Sequence, residues 1–149
     1  SSTMYGMKRI DDDVFIFVTY HKEESTDEQK NYVDGKPDYA DAFEDNMIFR
    51  WDSQIGRSVD SSYVSDVVNT KRKHLLVKKS DAESNFYYMG EFDIVDVCAA
   101  RKRDNNGKER DITKFEMKMR HPVREDLLRY LQSNLQQSIQ NNTQELKAI

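Results

Sequence analysis

The chain has 149 residues, of which 37% are hydrophobic, 11% aromatic and 34% charged. This length is typical of one domain with one hydrophobic core, and the aromatic content excludes a disordered tail or linker. We therefore expect a single domain over residues 1–149, with frayed ends at 1–10 and 141–149. The net charge of −4 is uneven, because residues 1–66 carry 7 Lys+Arg against 15 Asp+Glu, and residues 67–149 carry 16 against 12. A basic second half is compatible with nucleic-acid binding on one face.

No apolar run approaches the roughly 18 residues that a membrane-spanning helix needs. We therefore expect a cytoplasmic domain without a membrane partner. The single cysteine, Cys98, excludes an intramolecular disulfide. It lies in the apolar run 94–100, which predicts a buried core thiol in a reducing compartment.

Alternating apolar and polar residues predict strands in the first half of the chain. Residues 14–20 (VFIFVTY) form the first strand pattern, and the polar stretch 21–37 predicts a loop. Helical spacing of Tyr39, Ala42 and Phe43 predicts a short helix over 38–45. Residues 47–53 (MIFRWDS) alternate again, which predicts a strand with Trp51 and Ser53 on one face.

The second half of the chain contains further strand and helix patterns. Residues 61–70 predict a helical turn or a loop, and residues 74–79 a short strand. Residues 85–97 predict a long strand that bends at Gly90, since glycine in a strand interior often marks a bulge.

An Asn105-Asn106-Gly107 turn predicts a hairpin over 101–110, and residues 112–120 return as the partner strand. A helix follows Pro122 over about 123–139, with four leucines at core spacing. Central strands and a terminal helix predict an α+β fold, with a strongly bent antiparallel sheet or small barrel covered by a helix.

The residue patterns do not favour catalysis. There is no glycine-rich phosphate loop, and three separated histidines with one cysteine do not form a zinc-site pattern. Glu116 and Lys118 match the E-x-K motif of metal-dependent nucleases, and Asp93 and Asp96 lie on the expected partner strand. Because Phe115, Met117 and Met119 alternate with these charges, we interpret them as a solvated strand face. We expect no catalytic residue, no metal and no cofactor.

Basic clusters and one aromatic segment favour a binding function. The clusters, which are candidates for phosphate contacts, are Lys71-Arg72-Lys73, Lys78-Lys79 and Arg101-Lys102-Arg103. Trp51 is followed by Ser53 and Gln54, a combination that suits a pocket that stacks a flat ring and reads its polar edge. The alternative is that Trp51 lies in the core. Of the Tyr87-Tyr88 pair, one ring should reach solvent or a cleft, because strand neighbours point to opposite faces.

Several motifs together resemble one known family. They are Phe17-Val18-Thr19-Tyr20-His21-Lys22, Tyr39-x-Asp41-x-Phe43, Phe49-x-Trp51-x-Ser53-Gln54, Phe86-Tyr87-Tyr88-Met89-Gly90-Glu91 and Pro122-Val123. This succession is similar to the C-terminal domain of superfamily-2 helicase-like proteins, including SauUSI-type modification-dependent restriction enzymes. The matching residues span about 14–131.

The resemblance implies an SRA-like (SET- and RING-associated) fold, a bent β-barrel related to PUA domains. It implies a non-enzymatic reader of 5-methylcytosine or 5-hydroxymethylcytosine in double-stranded DNA, which flips the base. The partners would be the helicase and nuclease domains of an ATP-dependent parent chain, and the acidic residues between 11 and 45 would face away from DNA. On this hypothesis the base-binding residues are Trp51, Tyr39, Tyr88, Ser53, Gln54 and Asp41, and the phosphate-binding residues are Lys71, Arg72, Lys73, Lys78 and Lys79. Two alternatives stay open: an autoinhibitory or protein-interaction module of the helicase, and an RNA-binding PUA-like module.

Overall fold

The computed structural model describes residues 6–21, 32–33, 36–37 and 41–133. Nine strands and two short helices lie in these ranges. The strands are β1 (Gly6–Ile10), β2 (Asp13–His21), β3 (Tyr32–Val33), β4 (Lys36–Pro37), β5 (Ala42–Phe43), β6 (Ile48–Asp52), β7 (Arg72–Ser80), β8 (Tyr87–Arg103) and β9 (Glu109–Met119); the helices are α1 (Ser62–Asn69) and α2 (Glu125–Gln132).

Seven of these strands form one sheet in the order β1-β2-β7-β8-β9-β6-β5, and β3 pairs with β4 in a separate hairpin. The predicted α+β class is confirmed. The predicted strongly bent sheet is confirmed as well, and the described sheet does not close into a barrel. One pair departs from the predicted antiparallel pairing, because β2 and β7 are parallel. A parallel pair requires a long crossover connection, and residues 22–71 make it by passing through β5, β6 and α1.

The sheet curls far enough for its distant strands to touch. The Phe43 N–H of β5 donates a hydrogen bond to Tyr20 Oη of β2 (3.2 Å), and the two rings stack with centroids 6.4 Å apart. Part of the curvature comes from β8, where Gly90 has φ +114°. The β7–β8 register shifts next to its partner Leu75, so the predicted bend at Gly90 is confirmed. Only glycine adopts this backbone geometry readily.

One face of the bent sheet and both helices enclose the core. Its members are buried side chains of β2, β7, β8, β9, β6, α1 and α2, which include Val14, Ile16, Leu75, Val77, Phe92, Phe115, Met117, Phe49, Trp51, Val67 and Leu131. Trp51 is only 4% exposed, and its ring stacks on Phe115 with centroids 4.9 Å apart. The core alternative for Trp51 is therefore the one that the structure shows.

Other sequence predictions are confirmed or corrected at element level. The predicted strands over 14–20, 47–53, 74–79 and 112–120 correspond to β2, β6, β7 and β9. The helix predicted over 38–45 is wrong within the described residues, since Ala42–Phe43 pairs with β6 as a strand. β6 offers a free edge there, and ladder pairing satisfies the backbone groups that a helix of this length would leave unpaired.

The chain ends also differ from expectation. Residues 6–10, expected to fray, form the edge strand β1. The predicted C-terminal helix is present as α2, while residues 134–149 lie outside the described ranges. Neither described helix is long and apolar enough to cross a membrane.

The prediction that Cys98 is a buried core thiol is wrong, because β8 contains a second irregularity. The β8–β9 register shifts between Ile94 and Asp96, which leaves Val95 as an extra residue, 53% exposed. An extra residue reverses the alternation beyond it, so Cys98 faces outward opposite Lys114 and is half-buried rather than a core thiol.

The position of Trp51 generates a stability prediction. Trp51→Ala removes a buried indole, so we expect the free energy of unfolding to fall by about 3–5 kcal/mol. Tm should fall by roughly 6–20 °C for a domain of this size, as measured by thermal unfolding. The exposed Tyr88→Ala variant serves as the control and should change Tm only slightly. A Trp51→Ala variant that melts with the wild type would contradict the core assignment.

Candidate nucleic-acid interface

The parallel pairing of β2 with β7 builds a row of side chains on the face of the sheet that points away from the core. Alternate residues of a strand share a face, and the register places Asp13 beside Arg72 and Phe15 beside His74. β8 follows β7 on its other side and contributes the exposed Tyr88. These five residues define the surface that we call the outer aromatic face.

Hydrogen bonds link four of these side chains into a chain. Arg72 donates from Nε to Asp13 Oδ1 (2.7 Å) and from Nη2 to Asp13 Oδ2 (2.9 Å). His74 Nε2 lies 2.8 Å from Asp13 Oδ1, and His74 Nδ1 lies 2.7 Å from Tyr88 Oη. The carboxylate is an acceptor only, so Nε2 carries the proton that it donates to Asp13. In a neutral imidazole Nδ1 is then an acceptor, and it receives the Tyr88 hydroxyl hydrogen.

The hydrogen-bonded row of side chains fixes the Tyr88 ring while leaving it accessible to solvent. Tyr88 is 56% exposed, although its hydroxyl is held by His74. The His74 ring is itself held on its other side, because it stacks on Phe15 at 4.7 Å with an interplanar angle of 14°. Partial burial of the hydroxyl raises the pKa of Tyr88 above its ordinary value. The result is a preoriented flat ring at the protein surface.

Further aromatic and cationic side chains lie on or next to the strands that carry the outer aromatic face. Phe17 and Phe86 pack edge to face at 5.2 Å, and both are half-buried. Lys8 is exposed and pairs in register with Phe15, while exposed Lys71 directly precedes β7. Aromatic rings interleaved with cations form the surface type that stacks nucleobases and neutralises phosphates.

The base-binding candidates close to Trp51 in the sequence do not lie on the outer aromatic face. Trp51, Ser53 and Asp41 are buried, and the polar groups of Ser53 and Asp41 serve the local backbone. Ser53 Oγ accepts the Thr113 N–H (2.9 Å), and Asp41 Oδ1 accepts the Asp52 N–H (2.8 Å). Gln54 is exposed in the segment that follows β6, and Tyr39 lies outside the described residues. Of the six base-binding candidates, the described structure thus presents only Tyr88 on the outer aromatic face.

The phosphate-binding candidates also divide into some that lie at the outer aromatic face and others that contact the protein itself. Arg72 belongs to the outer aromatic face, and Lys71 directly precedes it in the chain. Lys73 Nζ donates to the Thr70 carbonyl (2.7 Å). Buried Lys79 donates to the Tyr130 carbonyl and to Ser133 Oγ, both at 2.5 Å, so it satisfies the C-terminus of α2. Lys78 is buried with Nζ 5.2 Å from the Phe86 ring centroid.

A cavity of about 390 Å³ lies on the opposite end of the sheet, lined by Ala42, Phe43, Glu44 and Arg50. Arg50 Nη2 lies 3.4 Å from Glu44 and 3.0 Å from Glu116, so two carboxylates offset the one guanidinium. This charge balance does not suit a phosphate. Glu116 is thus the acid of an ion pair on the strand face. No group of three His, Cys, Asp or Glu residues in the described ranges could hold a metal ion.

Sequence reasoning missed Asp13, Phe15 and His74 as parts of a site. Asp13 also departs from the expectation that the acidic residues between 11 and 45 face away from DNA, because it lies on the outer aromatic face. Asp13 and His74 are 61 residues apart, and only the parallel register brings them together. The available signal was the alternation of Asp13, Phe15 and Phe17, which puts two aromatic rings on the face away from the core.

Comparison with known proteins gives one result. A family model described as "Domain of unknown function (DUF3427)" matches residues 1–131. The chain belongs to the DUF3427 family. No curated protein and no solved structure matches this DUF3427 domain.

The hydrogen-bonded chain generates a pH prediction. The bonds from Arg72 and then His74 hold the pKa of Asp13 well below its usual value of 3.8. Near and below pH 4, Asp13 is therefore protonated in the unfolded chain while it stays ionised in the folded domain. The stabilisation from the Asp13 carboxylate is thus present above about pH 4 and is lost as the pH falls. We expect the Tm difference between wild type and Asp13→Asn to be largest above about pH 5 and to shrink towards pH 2.

Thermal unfolding across this pH range measures the difference. Asp81→Asn, which alters an exposed turn carboxylate, is the matched control and should follow the wild type throughout. A wild-type-minus-Asp13→Asn difference that stays constant between pH 2 and 6 would exclude the proposed charge interaction.

Proposed function

We propose that this DUF3427 domain binds double-stranded DNA and recognises 5-methylcytosine or 5-hydroxymethylcytosine by base flipping. In this proposal it is the target-recognition domain of a helicase-nuclease restriction enzyme, as its resemblance to the SRA-like domain of SauUSI-type enzymes suggests. The observation that carries the proposal is the exposed, preoriented ring of Tyr88, which hydrogen bonds through His74 and Asp13 connect to the guanidinium of Arg72. An exposed flat ring on the same face of a sheet as a cation suits a base that has left the stack together with its phosphate.

The proposal gives each side chain a different task. The Tyr88 ring supplies the stacking surface, and its fixed hydroxyl means that little orientational freedom is lost on binding. Arg72 has 43% of its side chain exposed and can donate to the base edge or a phosphate, while Asp13 holds it in place. Lys8 and Lys71 attract the backbone of the duplex. Tyr88, predicted from the sequence, thus acts with Arg72, whereas Trp51 supports the fold.

The expected selectivity is modest. A 5-methyl group has a small apolar surface, and its burial contributes about 1 kcal/mol, which is roughly a fivefold difference in Kd. A restriction enzyme with this reader would need two sites or additional contacts for reliable discrimination. ATP hydrolysis and DNA cleavage would belong to the helicase and nuclease domains of the parent chain.

Tyrosine variants test this proposal. Loss of base–aromatic stacking costs about 1–3 kcal/mol, so Tyr88→Ala should weaken binding to a 5-methylcytosine duplex by about 5- to 150-fold. Tyr88→Phe keeps the ring and should retain most of the affinity. The matched control is Tyr87→Ala, since Tyr87 is 40% exposed and packs towards Tyr130 on the other side of the strand. Fluorescence-anisotropy titrations of methylated and unmethylated duplexes at several salt concentrations measure these effects.

Three outcomes would count against the proposal. Equal wild-type affinity for methylated and unmethylated duplexes would exclude modified-base recognition. Preference for single-stranded RNA over either duplex would favour the PUA-like alternative. Absence of salt-dependent binding to any nucleic acid would favour a protein-interaction module.

A further inference from the structure

The β8–β9 hairpin extends beyond the core as an entirely polar arm. We define the arm as residues 101–110, whose sequence RKRDNNGKER contains no apolar side chain. The last fully buried neighbour is Ile112. Three register pairs continue the ladder into the arm: Arg101 with Asp111, Lys102 with Arg110, and Arg103 with Glu109. A ribbon that buries no apolar surface contributes little to folding, so its length calls for another explanation.

The tip of the arm is hydrogen-bonded internally despite its exposure. Asp104 Oδ1 accepts the N–H groups of Asn106 (2.9 Å) and Lys108 (3.0 Å). The Asp104 N–H donates to the Lys108 carbonyl (2.9 Å), and the Gly107 N–H donates to the Asp104 carbonyl (3.0 Å). Gly107 takes φ +78°, which glycine adopts without strain. The turn is therefore preorganised, and little conformational entropy is lost when it binds a partner.

The charge of the arm indicates the chemistry of that partner. Its ten residues contain five Lys and Arg against two Asp and Glu. Arg101 and Arg110 form ion pairs with neighbouring carboxylates. Among the described residues no carboxylate pairs with the remaining cations, Lys102, Arg103 and Lys108. Three such cations on a narrow ribbon, with Asn105 and Asn106 exposed at its tip, complement a polyanion that also presents hydrogen-bonding groups.

We propose that this arm enters the major groove of duplex DNA. The inference rests on the proposed function, because it takes double-stranded DNA as the ligand. Two strands about 4.8 Å apart fit a groove about 12 Å wide. Lys102, Arg103 and Lys108 contact phosphates along the groove walls, and the amides of Asn105 and Asn106 reach base edges. The arm is thus a second contact region, separate from the outer aromatic face that holds the flipped base.

A triple variant tests the phosphate contacts. K102A/R103A/K108A should bind a 5-methylcytosine duplex roughly tenfold or more weakly, and the slope of log K against log salt should flatten by up to about 2.7. The matched control K118A/R124A/R129A changes the charge equally on β9 and α2, away from the arm, and should keep most of the affinity and slope. Both proteins should keep the wild-type Tm, because none of these side chains is buried in the core.

A footprint tests the groove. Dimethyl sulfate methylates guanine N7, which lies in the major groove, so wild-type protein should protect guanines near the modified site and N105A/N106A should lose that protection. If wild type binds no duplex, the proposed function fails, and the arm proposal with it. If wild type binds but the arm triple variant keeps its affinity and slope, the arm proposal alone is overturned. Weakened binding without wild-type protection of guanine N7 would exclude the major groove.

Discussion

The parallel pairing of β2 with β7 is the constraint on which the candidate site depends. It sets Asp13 opposite Arg72 and Phe15 opposite His74, although about sixty residues separate the members of each pair. A one-residue slip would turn these side chains towards the core and expose Val14, Ile16 and Leu75 instead. Because burial of those three residues stabilises the fold, the hydrophobic core also fixes the geometry of the polar chain that orients Tyr88.

Two bulges in β8 determine which side chains the strand presents on each face of the sheet. The irregularity at Gly90 bends the strand where it leaves β7, and the one at Val95 reverses the alternation before the strand continues into the arm. The strand can therefore present Tyr88 outward near one end and a polar ribbon at the other, while Met89 and Phe92 remain in the core. On the proposed function, these are the base-stacking and groove contacts of one duplex.

Local patterns predicted most of the fold. Alternation located β2, β6, β7 and β9, Gly90 marked a bend, and Asn106-Gly107 marked the hairpin, because each signal depends on neighbours in sequence. The same reasoning could not predict the parallel pair or the extra residue at Val95, which misplaced Cys98. In the site, Tyr88 and Arg72 lie at the two ends of one hydrogen-bonded chain on the outer aromatic face. Trp51, Ser53 and Lys79 instead support the core and backbone, because composition alone does not distinguish a buried polar group with partners from a binding group.

The central claim is that a modified cytosine leaves the duplex and stacks on Tyr88. The most direct measurement places 2-aminopurine beside 5-methylcytosine, since its fluorescence is quenched while it is stacked and rises when its neighbour leaves the helix. We predict a rise on saturation with wild-type protein, a smaller rise with the unmodified duplex, and little change with Tyr88→Ala at concentrations that restore full binding. Saturated binding of the wild type to the methylated duplex with no change in fluorescence would contradict base flipping by this domain.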